Sequence, residues 1–193
     1  MMTGSFLKNF QDIGKDAFVT SLIASKSGNM SIRDDNHIII TSTGSSLGRL
    51  TEKDLIKIGL NEEEGPVVER ASTELGLHQA IYNKTDAKAV IHLHCPAAVA
   101  LSLSEREITP IDSEGMYYFS RIPVIHAPFQ IGSKNVISDL SDLLKDYRVA
   151  MVSGHGVFAK GQDLDEAFFW ASSVEQSSKI IIQRRLLDKG RDL

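Results

Sequence analysis

Three histidines are the residues of this sequence whose type and spacing could hold a metal ion. His92 and His94 stand one residue apart at the end of the largely apolar run 88–91, which predicts a buried strand. Because strand side chains alternate between faces, both imidazoles should project from the same side of that strand. His155 lies between two glycines, which let the backbone approach a ligand closely. A catalytic zinc ion takes three protein ligands and keeps one open position, so these histidines are candidates for such a site.

Three polar segments elsewhere in the chain have residue types that suit an anion. Gly28 and Asn29 permit a tight turn before a predicted strand, residues 41–46 bring several hydroxyl groups together, and residues 72–74 open a predicted helix. Free N–H groups at a helix N-terminus favour phosphate. Each segment alone could be a hairpin turn, a strand-end loop or a helix cap, and a His-X-His pair alone is more often satisfied by hydrogen bonds. Their occurrence together favours a phosphate site beside a metal.

The elements that must position these residues alternate between helices and strands. Apolar spacing and turn residues predict helices over 5–25, 72–83, 133–147 and 163–188, with a further helix beginning at Pro96. They predict strands at 30–33, 37–41, 56–60, 121–126, 149–153 and 157–159, in addition to the strand that ends in the histidine pair. Several strands are adjacent in the sequence and could form hairpins. We therefore expect a three-layer α/β/α sandwich around a mixed, largely antiparallel sheet.

Length and composition indicate one enzyme-sized domain spanning 1–193. Apolar residues make up 42% of the chain and charged residues 24%, as in an average globular protein. The net charge of −4 argues against a general nucleic-acid surface, and no apolar stretch is long enough to cross a membrane. The single cysteine, Cys95, should point away from the histidine face and fill space in the core. Without a signal-peptide pattern, we expect a cytoplasmic protein.

Five motifs then occur in an order typical of one known family. They are Ser-Gly-Asn-Met-Ser at 27–31, Thr-Ser-Thr-Gly at 41–44, Ser-Thr-Glu at 72–74, Ala-Val-Ile-His-Leu-His at 89–94, and Gly-His-Gly at 154–156 ahead of the segment 161–167. With these motifs the chain resembles the class II aldolase/adducin family from about residue 17 to about residue 179. Within that family it looks most like the branch that cleaves L-fuculose 1-phosphate.

The resemblance implies a role for each motif. It implies one zinc ion per chain, bound by His92, His94 and His155. It places the substrate phosphate on six residues of the three anion-binding segments: Gly28, Asn29, Thr43, Gly44, Ser72 and Thr73. Glu74 would be the general acid/base and, in the resting enzyme, a further metal ligand. The resemblance also implies a cyclic homotetramer with active sites between subunits, to which Tyr117 or Tyr118 of a neighbour would contribute.

These residues would support aldol cleavage of a ketose 1-phosphate to dihydroxyacetone phosphate and an aldehyde. Zinc would act as a Lewis acid that stabilises the enediolate left when the carbon–carbon bond breaks. Glu74 would move a proton to or from the carbon next to the carbonyl. A phosphorylated small molecule is thus the expected partner, and neither nucleic acid nor a membrane is expected.

Three other functions remain open at this point. Methylthioribulose-1-phosphate dehydratase would use the same zinc and phosphate loops but eliminate water. The sugar-phosphate 4-epimerases of the family carry aspartate in place of Glu74 and a further histidine where this chain has residues 95–97, so they are disfavoured. A non-catalytic, adducin-like module has no physical need of an open metal site.

The remaining polar and aromatic candidates receive simpler interpretations. His78 follows Glu74 by four residues on the same predicted helix face, and it could orient that carboxylate. His37 and His126 are expected to be ordinary strand residues. Glu175 and Trp170 of the last helix are expected to be packing or interface groups.

Overall fold

The structure, a computed structural model, describes residues 4–127 and 134–190. Its helices are α1 (Gly4–Val19), α2 (Leu75–Lys84), α3 (Pro96–Ser102), α4 (Ser113–Tyr118), α5 (Lys134–Asp146) and α6 (Leu164–Lys189). Its strands are β1 (Asn29–Asp34), β2 (His37–Thr41), β3 (Leu55–Gly59), β4 (Ala89–Leu93), β5 (Glu107–Ile108), β6 (Ile122–Ile125), β7 (Val149–Val152) and β8 (Gly156–Gly161). Ser133, the first residue of the helix predicted over 133–147, lies outside the described residues.

The strands form one sheet in the order β3-β2-β1-β4-β8-β7-β6-β5. Within the described part of the chain, β6 and β7 are the one parallel pair, and all other neighbours are antiparallel. This confirms the mixed, largely antiparallel sheet. The order also places β4 between β1 and β8, in the middle of the sheet. Strand β4 contains His92 and ends one residue before His94.

Helices cover both faces of this sheet, as period-two burial requires. Ala89 and Ile91 of β4 belong to a core cluster that includes residues of α1, α3 and α6. Val90, between them, belongs to a second cluster that includes residues of α2 and α5. A strand that is apolar on both faces must be covered on both, so the three-layer α/β/α prediction is confirmed. Cys95 lies in the first cluster and is fully buried, as expected.

Four local features differ from the sequence prediction. Helix α1 ends at Val19, and not near residue 25, because Ser21 adopts a left-handed φ of 60° that no helix continues through. Helix α2 begins at Leu75, with Glu74 at the N-cap position, and not at residue 72. Strand β5 and helix α4 were not predicted, because two strand residues and six helical residues are too few to produce a periodic pattern.

No described helix combines the length and apolar character that crossing a bilayer would need.

Candidate metal centre

The three histidines meet where β4 ends and the β7–β8 turn begins. Strand β4 pairs with β8 in a register that sets His92 opposite Phe158 and Leu93 opposite Val157. The turn that carries His155 is therefore held beside the end of β4. Gly154 adopts a φ of 68°, which favours glycine, and a Cβ on Gly156 would lie 2.5 Å from the Leu93 carbonyl oxygen and 2.8 Å from Cε1 of His92. The two flanking glycines let the turn close onto the strand.

The ring nitrogens of the histidines converge on one point. Nε2 of His92 lies 2.9 Å from Nε2 of His94 and 3.1 Å from Nε2 of His155. Nδ1 of His92 lies 3.1 Å from the Val157 carbonyl oxygen, to which it donates, so Nε2 of this neutral ring bears a lone pair. Ligands at about 2.0 to 2.1 Å from a tetrahedral ion stand about 3.3 Å apart, close to this spacing. The three residues fit one divalent cation, and this metal cluster was predicted from the sequence.

Burial keeps these histidines in the neutral form that binds metals. Desolvation lowers the pKa of His92 well below its ordinary value, and the neighbouring His155 and His94 lower it further. Desolvation also lowers the pKa of His94, and it lowers the pKa of His155 to about 4. A neutral imidazole offers a lone pair without first losing a proton, so protons compete little with a cation at neutral pH.

Glu74, predicted to be the acid/base residue and a further metal ligand, lies beside two of the imidazoles. Its Oε2 is 3.5 Å from Nε2 of His92, and its Oε1 is 3.7 Å from Nε2 of His155. Asn29 donates a 2.6 Å hydrogen bond from Nδ2 to Oε2, whereas Oε1 is buried with no hydrogen-bond partner among the described residues. Burial raises the pKa of Glu74, and the bond from Asn29 opposes that rise. A carboxylate in this position could bind the cation as a fourth ligand or accept a proton from a substrate.

The same histidines line a cavity of about 300 Å³ together with the three anion-binding segments. All six residues predicted to bind phosphate lie on its wall. Segment 41–46 is tied to the chain around segment 72–74 by backbone hydrogen bonds from Thr43 N to Arg70 O (3.0 Å) and from Ser72 N to Thr41 O (3.1 Å). Gly28 and Gly44 adopt φ angles of 78° and 69°, a backbone conformation that favours glycine. Turns of this kind can present backbone N–H groups to an anion. The arrangement offers neutral hydrogen-bond donors to an anion next to the metal cluster.

Lys26 is a lining residue that the sequence analysis missed. It is exposed at the cavity, and it is the one lysine or arginine among the residues described as lining it. The signal in the sequence was its position two residues before Gly28. The glycine and asparagine at 28 and 29 indicated a turn, whereas the charge of Lys26 belongs to no local pattern. A cation at this position would attract a phosphate dianion into the cavity.

His78 acts on Glu74 less directly than predicted. Its Nε2 lies 2.6 Å from Oδ1 of Asn29, and it is the Asn29 amide, not the His78 ring, that contacts the carboxylate. Its Nδ1 lies 2.7 Å from the Ser31 hydroxyl, which in turn lies 2.7 Å from the Tyr82 hydroxyl. This buried chain of polar groups was not visible in the sequence, because each hydrogen bond joins a residue of β1 to one at residues 74–82, and the bonded partners are 45 or more residues apart.

Glu175 supports the segment that follows His94. Its side chain, only 1% exposed, accepts hydrogen bonds at Oε2 from the backbone N–H groups of Ala97 (2.9 Å) and Ala98 (3.0 Å) in the first turn of α3. Lys179 lies 3.4 Å from its other oxygen. A carboxylate at a helix N-terminus satisfies orphan donors and the helix dipole. Glu175 therefore anchors α3, a more specific role than the packing or interface role expected for it.

The remaining aromatic and histidine candidates do not line the cavity. Trp170 packs in the core beneath the Arg148 guanidinium, which lies 4.5 Å from its ring. His37 opens β2 and His126 follows β6, both exposed. Tyr117 is 86% exposed, and neither Tyr117 nor Tyr118 lines the cavity of its own chain. A contribution of either tyrosine to a neighbouring subunit stays a prediction.

Comparison with known proteins places this geometry in a family. Residues 8–182 match the model described as the class II aldolase and adducin N-terminal domain. An L-fuculose phosphate aldolase from Methanocaldococcus jannaschii is 28% identical over 184 residues, or 94% of this chain and 98% of that protein. A 3-oxo-tetronate 4-phosphate decarboxylase from Haemophilus influenzae is 29% identical over 177 residues, or 87% of this chain and 82% of that one.

A solved structure agrees with these matches. The L-fuculose-1-phosphate aldolase from Thermus thermophilus superposes with a TM-score of 0.89 and 32% sequence identity, covering 95% of both chains. The family match extends over nearly the whole chain, and it includes the histidine cluster and the three loops that line the cavity. The chain therefore belongs to the class II aldolase and adducin family, and it is a metal-dependent enzyme of that family.

Proposed function

We propose that this protein is a zinc-dependent aldolase that cleaves a ketose 1-phosphate, such as L-fuculose 1-phosphate, to dihydroxyacetone phosphate and an aldehyde. The observation that carries this proposal is the convergence of three histidines, one carboxylate and three donor-rich loops on one cavity of about 300 Å³. The relatives from M. jannaschii and T. thermophilus, which bear the name of fuculose phosphate aldolases, support the same reaction class.

The carbon–carbon bond to be broken lies next to a carbonyl group, and its electron pair must be stabilised as it leaves. His92, His94 and His155 would hold the zinc ion. When bound, it would supply Lewis-acid stabilisation of the negative charge that develops on the substrate oxygens. As the bond breaks, the hydroxyl group on its far side loses its proton and becomes the aldehyde, and the carbon next to the carbonyl gains a proton, so the net reaction is proton-neutral. Glu74 delivers the proton to that carbon during cleavage and removes it in the reverse direction. Asn29 engages Oε2 of Glu74, which leaves the unpartnered Oε1 to exchange that proton.

The three loops bind the phosphate group and so position the reacting carbons. Backbone N–H groups at Gly28 and Gly44 and the side chains of Asn29, Thr43, Ser72 and Thr73 provide neutral donors. Lys26 provides a positive charge at the cavity. Fixing the substrate at its phosphate end holds the scissile bond beside Glu74 and the metal ligands, which lowers the entropic part of the barrier.

Decarboxylation of a 3-oxo acid phosphate is the second candidate reaction. The H. influenzae relative is named for it, and its 29% identity is comparable to the 28% identity of the aldolase from M. jannaschii. Loss of carbon dioxide also leaves an electron pair next to a carbonyl group, so the same cation and loops would serve. The two reactions differ in the group that departs, and an assay of products separates them.

The test is a product assay with zinc-loaded protein. L-fuculose 1-phosphate and related ketose 1-phosphates are expected to release dihydroxyacetone phosphate, and the metal-free protein is the control. Carbon dioxide released from 3-oxo-tetronate 4-phosphate without aldol cleavage would identify a decarboxylase. Loss of water from methylthioribulose 1-phosphate would identify the dehydratase. Inversion of a sugar phosphate without cleavage would identify an epimerase, and full metal loading with no turnover would favour an adducin-like module.

We further propose that the enzyme is a cytoplasmic homotetramer with active sites at the subunit interfaces. Support comes from Ile111, Met116 and Tyr117, large side chains within residues 111–117 that are each about half exposed or more. Such a patch suits burial against another copy, and a tyrosine there could reach a neighbour's cavity. Sedimentation is expected to report a tetramer, and a fully active monomer would contradict the proposal.

A further inference from the structure

A chain of buried polar groups leads from Tyr82 to the cavity. The Tyr82 hydroxyl lies 2.7 Å from the Ser31 hydroxyl, which lies 2.7 Å from Nδ1 of His78. Nε2 of His78 lies 2.6 Å from Oδ1 of Asn29, whose Nδ2 donates to Glu74 at 2.6 Å. Ser31 and His78 are fully buried, so each of these polar groups needs its partner.

The direction of each hydrogen bond in this chain follows from its carboxylate end. An ionised carboxylate only accepts, so the amide nitrogen of Asn29 must face Glu74 and its oxygen must face His78. That oxygen accepts, and therefore Nε2 of His78 carries the ring proton. Nδ1 then has a lone pair and accepts from the Ser31 hydroxyl. Because the one Ser31 hydroxyl hydrogen goes to His78, Tyr82 is the donor between the two hydroxyls. Its single hydrogen is shared between the Ser31 hydroxyl oxygen and the Ser31 backbone oxygen, which accepts from it at 2.9 Å. One tautomer of His78 satisfies every group.

The Asn29 amide nitrogen bears two hydrogens, and the bond to Glu74 uses one of them. Asn29 lines the cavity, and no acceptor among the described residues is bonded to its second hydrogen. An anion in the cavity could take that hydrogen. If the amide turned over, its oxygen would face both the carboxylate and the anion, and both interactions would become repulsive. Nothing in the shape of an asparagine side chain prevents this, because its oxygen and NH₂ group are nearly equal in size.

We propose that His78 is a positioning residue that fixes the Asn29 amide with its nitrogen toward the cavity, so that one amide serves both Glu74 and the substrate phosphate. The proposal rests on the proposed function in that it takes the anion to be a phosphate group. The His78 Nε2–H group selects the orientation of Asn29, and Ser31 selects the tautomer of His78. Phosphate binding and carboxylate placement are thereby linked through a residue that touches neither.

Binding of inorganic phosphate to the zinc-loaded protein tests the first half of this proposal. His78→Phe keeps an aromatic ring but removes the donor, and the dissociation constant for phosphate is expected to rise about tenfold, as for a lost hydrogen bond to an anion. Ser31→Ala, which frees the tautomer, is expected to weaken binding by a smaller factor. Gln79→Leu is the matched control. It removes a side-chain hydrogen bond of α2 to Glu62 O (2.9 Å) and leaves Asn29 untouched.

The ring nitrogens of His78 test the second half. In protein with ¹⁵N-labelled histidine, His78 is expected to show a protonated Nε2 and a hydrogen-bonded, unprotonated Nδ1. In Ser31→Ala a second tautomer is expected to appear. If His78 only supported the fold, a change of its tautomer would not change the affinity for phosphate.

Two results would overturn the inference. One is a His78 ring protonated at Nδ1 in the unaltered protein. The other is a folded His78→Phe variant whose phosphate affinity equals that of Gln79→Leu. If His78→Phe does not fold, Ser31→Ala and the tautomer decide. If the unaltered protein does not bind phosphate at all, the proposed phosphate site fails, and the tautomer measurement still decides on His78.

Discussion

Replacing His78 by phenylalanine is expected to make the stability of the metal-free protein less sensitive to acid. Burial lowers the pKa of His78 from its ordinary value of 6.5 to about 3 in the folded chain. In the unfolded chain the same ring keeps its ordinary pKa, so as the pH falls the unfolded state takes up the proton first. A group of this kind contributes its full share of stability above pH 6.5 and loses it as the pH falls toward 3.

The size of the effect follows from these two values. At pH 5 the unfolded ring is almost fully protonated and the folded ring is neutral, which costs about 2 kcal/mol of unfolding free energy relative to pH 8. The His78→Phe variant has no ring nitrogen to protonate, so it lacks this loss of unfolding free energy. Glu74 and His92 are nearby and also titrate, but they are present in both proteins and largely cancel in the comparison. The expected result is a fall in stability between pH 8 and pH 5 that is about 2 kcal/mol larger in the unaltered protein.

Urea unfolding of chelator-treated protein at pH 5, 6, 7 and 8 measures this difference. Metal is removed because its own binding depends on pH. Gln79→Leu is again the control, because it loses a side-chain hydrogen bond but no titratable group, and it should keep the full acid sensitivity. His78→Gln repeats the test if the phenylalanine variant is too unstable. Equal pH dependence in the unaltered protein and the His78 variants would refute the reasoning, since His78 would then titrate alike in both states.

Three further changes probe the cavity. Glu74→Gln preserves size but cannot take a proton, so it is expected to retain zinc while turnover falls by about 100-fold or more; normal turnover would mean that the base lies elsewhere. His92→Ala, His94→Ala and His155→Ala are each expected to lose the metal in elemental analysis, and a variant that keeps full metal and activity would remove that residue from the ligand set. Lys26→Met is expected to raise KM for the phosphorylated substrate several-fold and to flatten its dependence on salt, whereas an unchanged salt dependence would show that this lysine does not attract the substrate.

The parts of the site that could be predicted from the sequence are those encoded over a few neighbouring residues. The alternation of side chains along β4 was enough to place His92 and His94 on one side. Glycine and hydroxyl residues at 27–29, 41–46 and 72–74 indicated backbone turns that can face an anion. The α/β/α layering followed from the interleaving of helices and strands along the chain, and the largely antiparallel sheet followed from strands that are adjacent in the sequence.

The parts that could not be predicted depend on contacts between distant segments. Ser31 and His78 are 47 residues apart, and the hydroxyl that fixes the ring tautomer has no local pattern. Glu175 is a helical carboxylate like many others until α6 packs against α3. Lys26 becomes relevant only when the loops around it close on one cavity. These side chains acquire their roles from contacts made in the folded chain. The spacing of residues along the sequence does not reveal those contacts.

The anchoring of α3 by Glu175 has a consequence for the order in which the protein is made. Every histidine of the metal cluster has been synthesised by residue 155, yet the first turn of α3, immediately after His94, receives its carboxylate partner only from residue 175. Helix α6 also packs against β4 and β8, the two strands that flank the cluster. If translation pauses between residues 155 and 175, all three histidines are present, but the first turn of α3 still lacks the Glu175 carboxylate. We therefore expect the nascent chain to hold its metal ion firmly only after the part of α6 that carries Glu175 has been synthesised and has packed against α3.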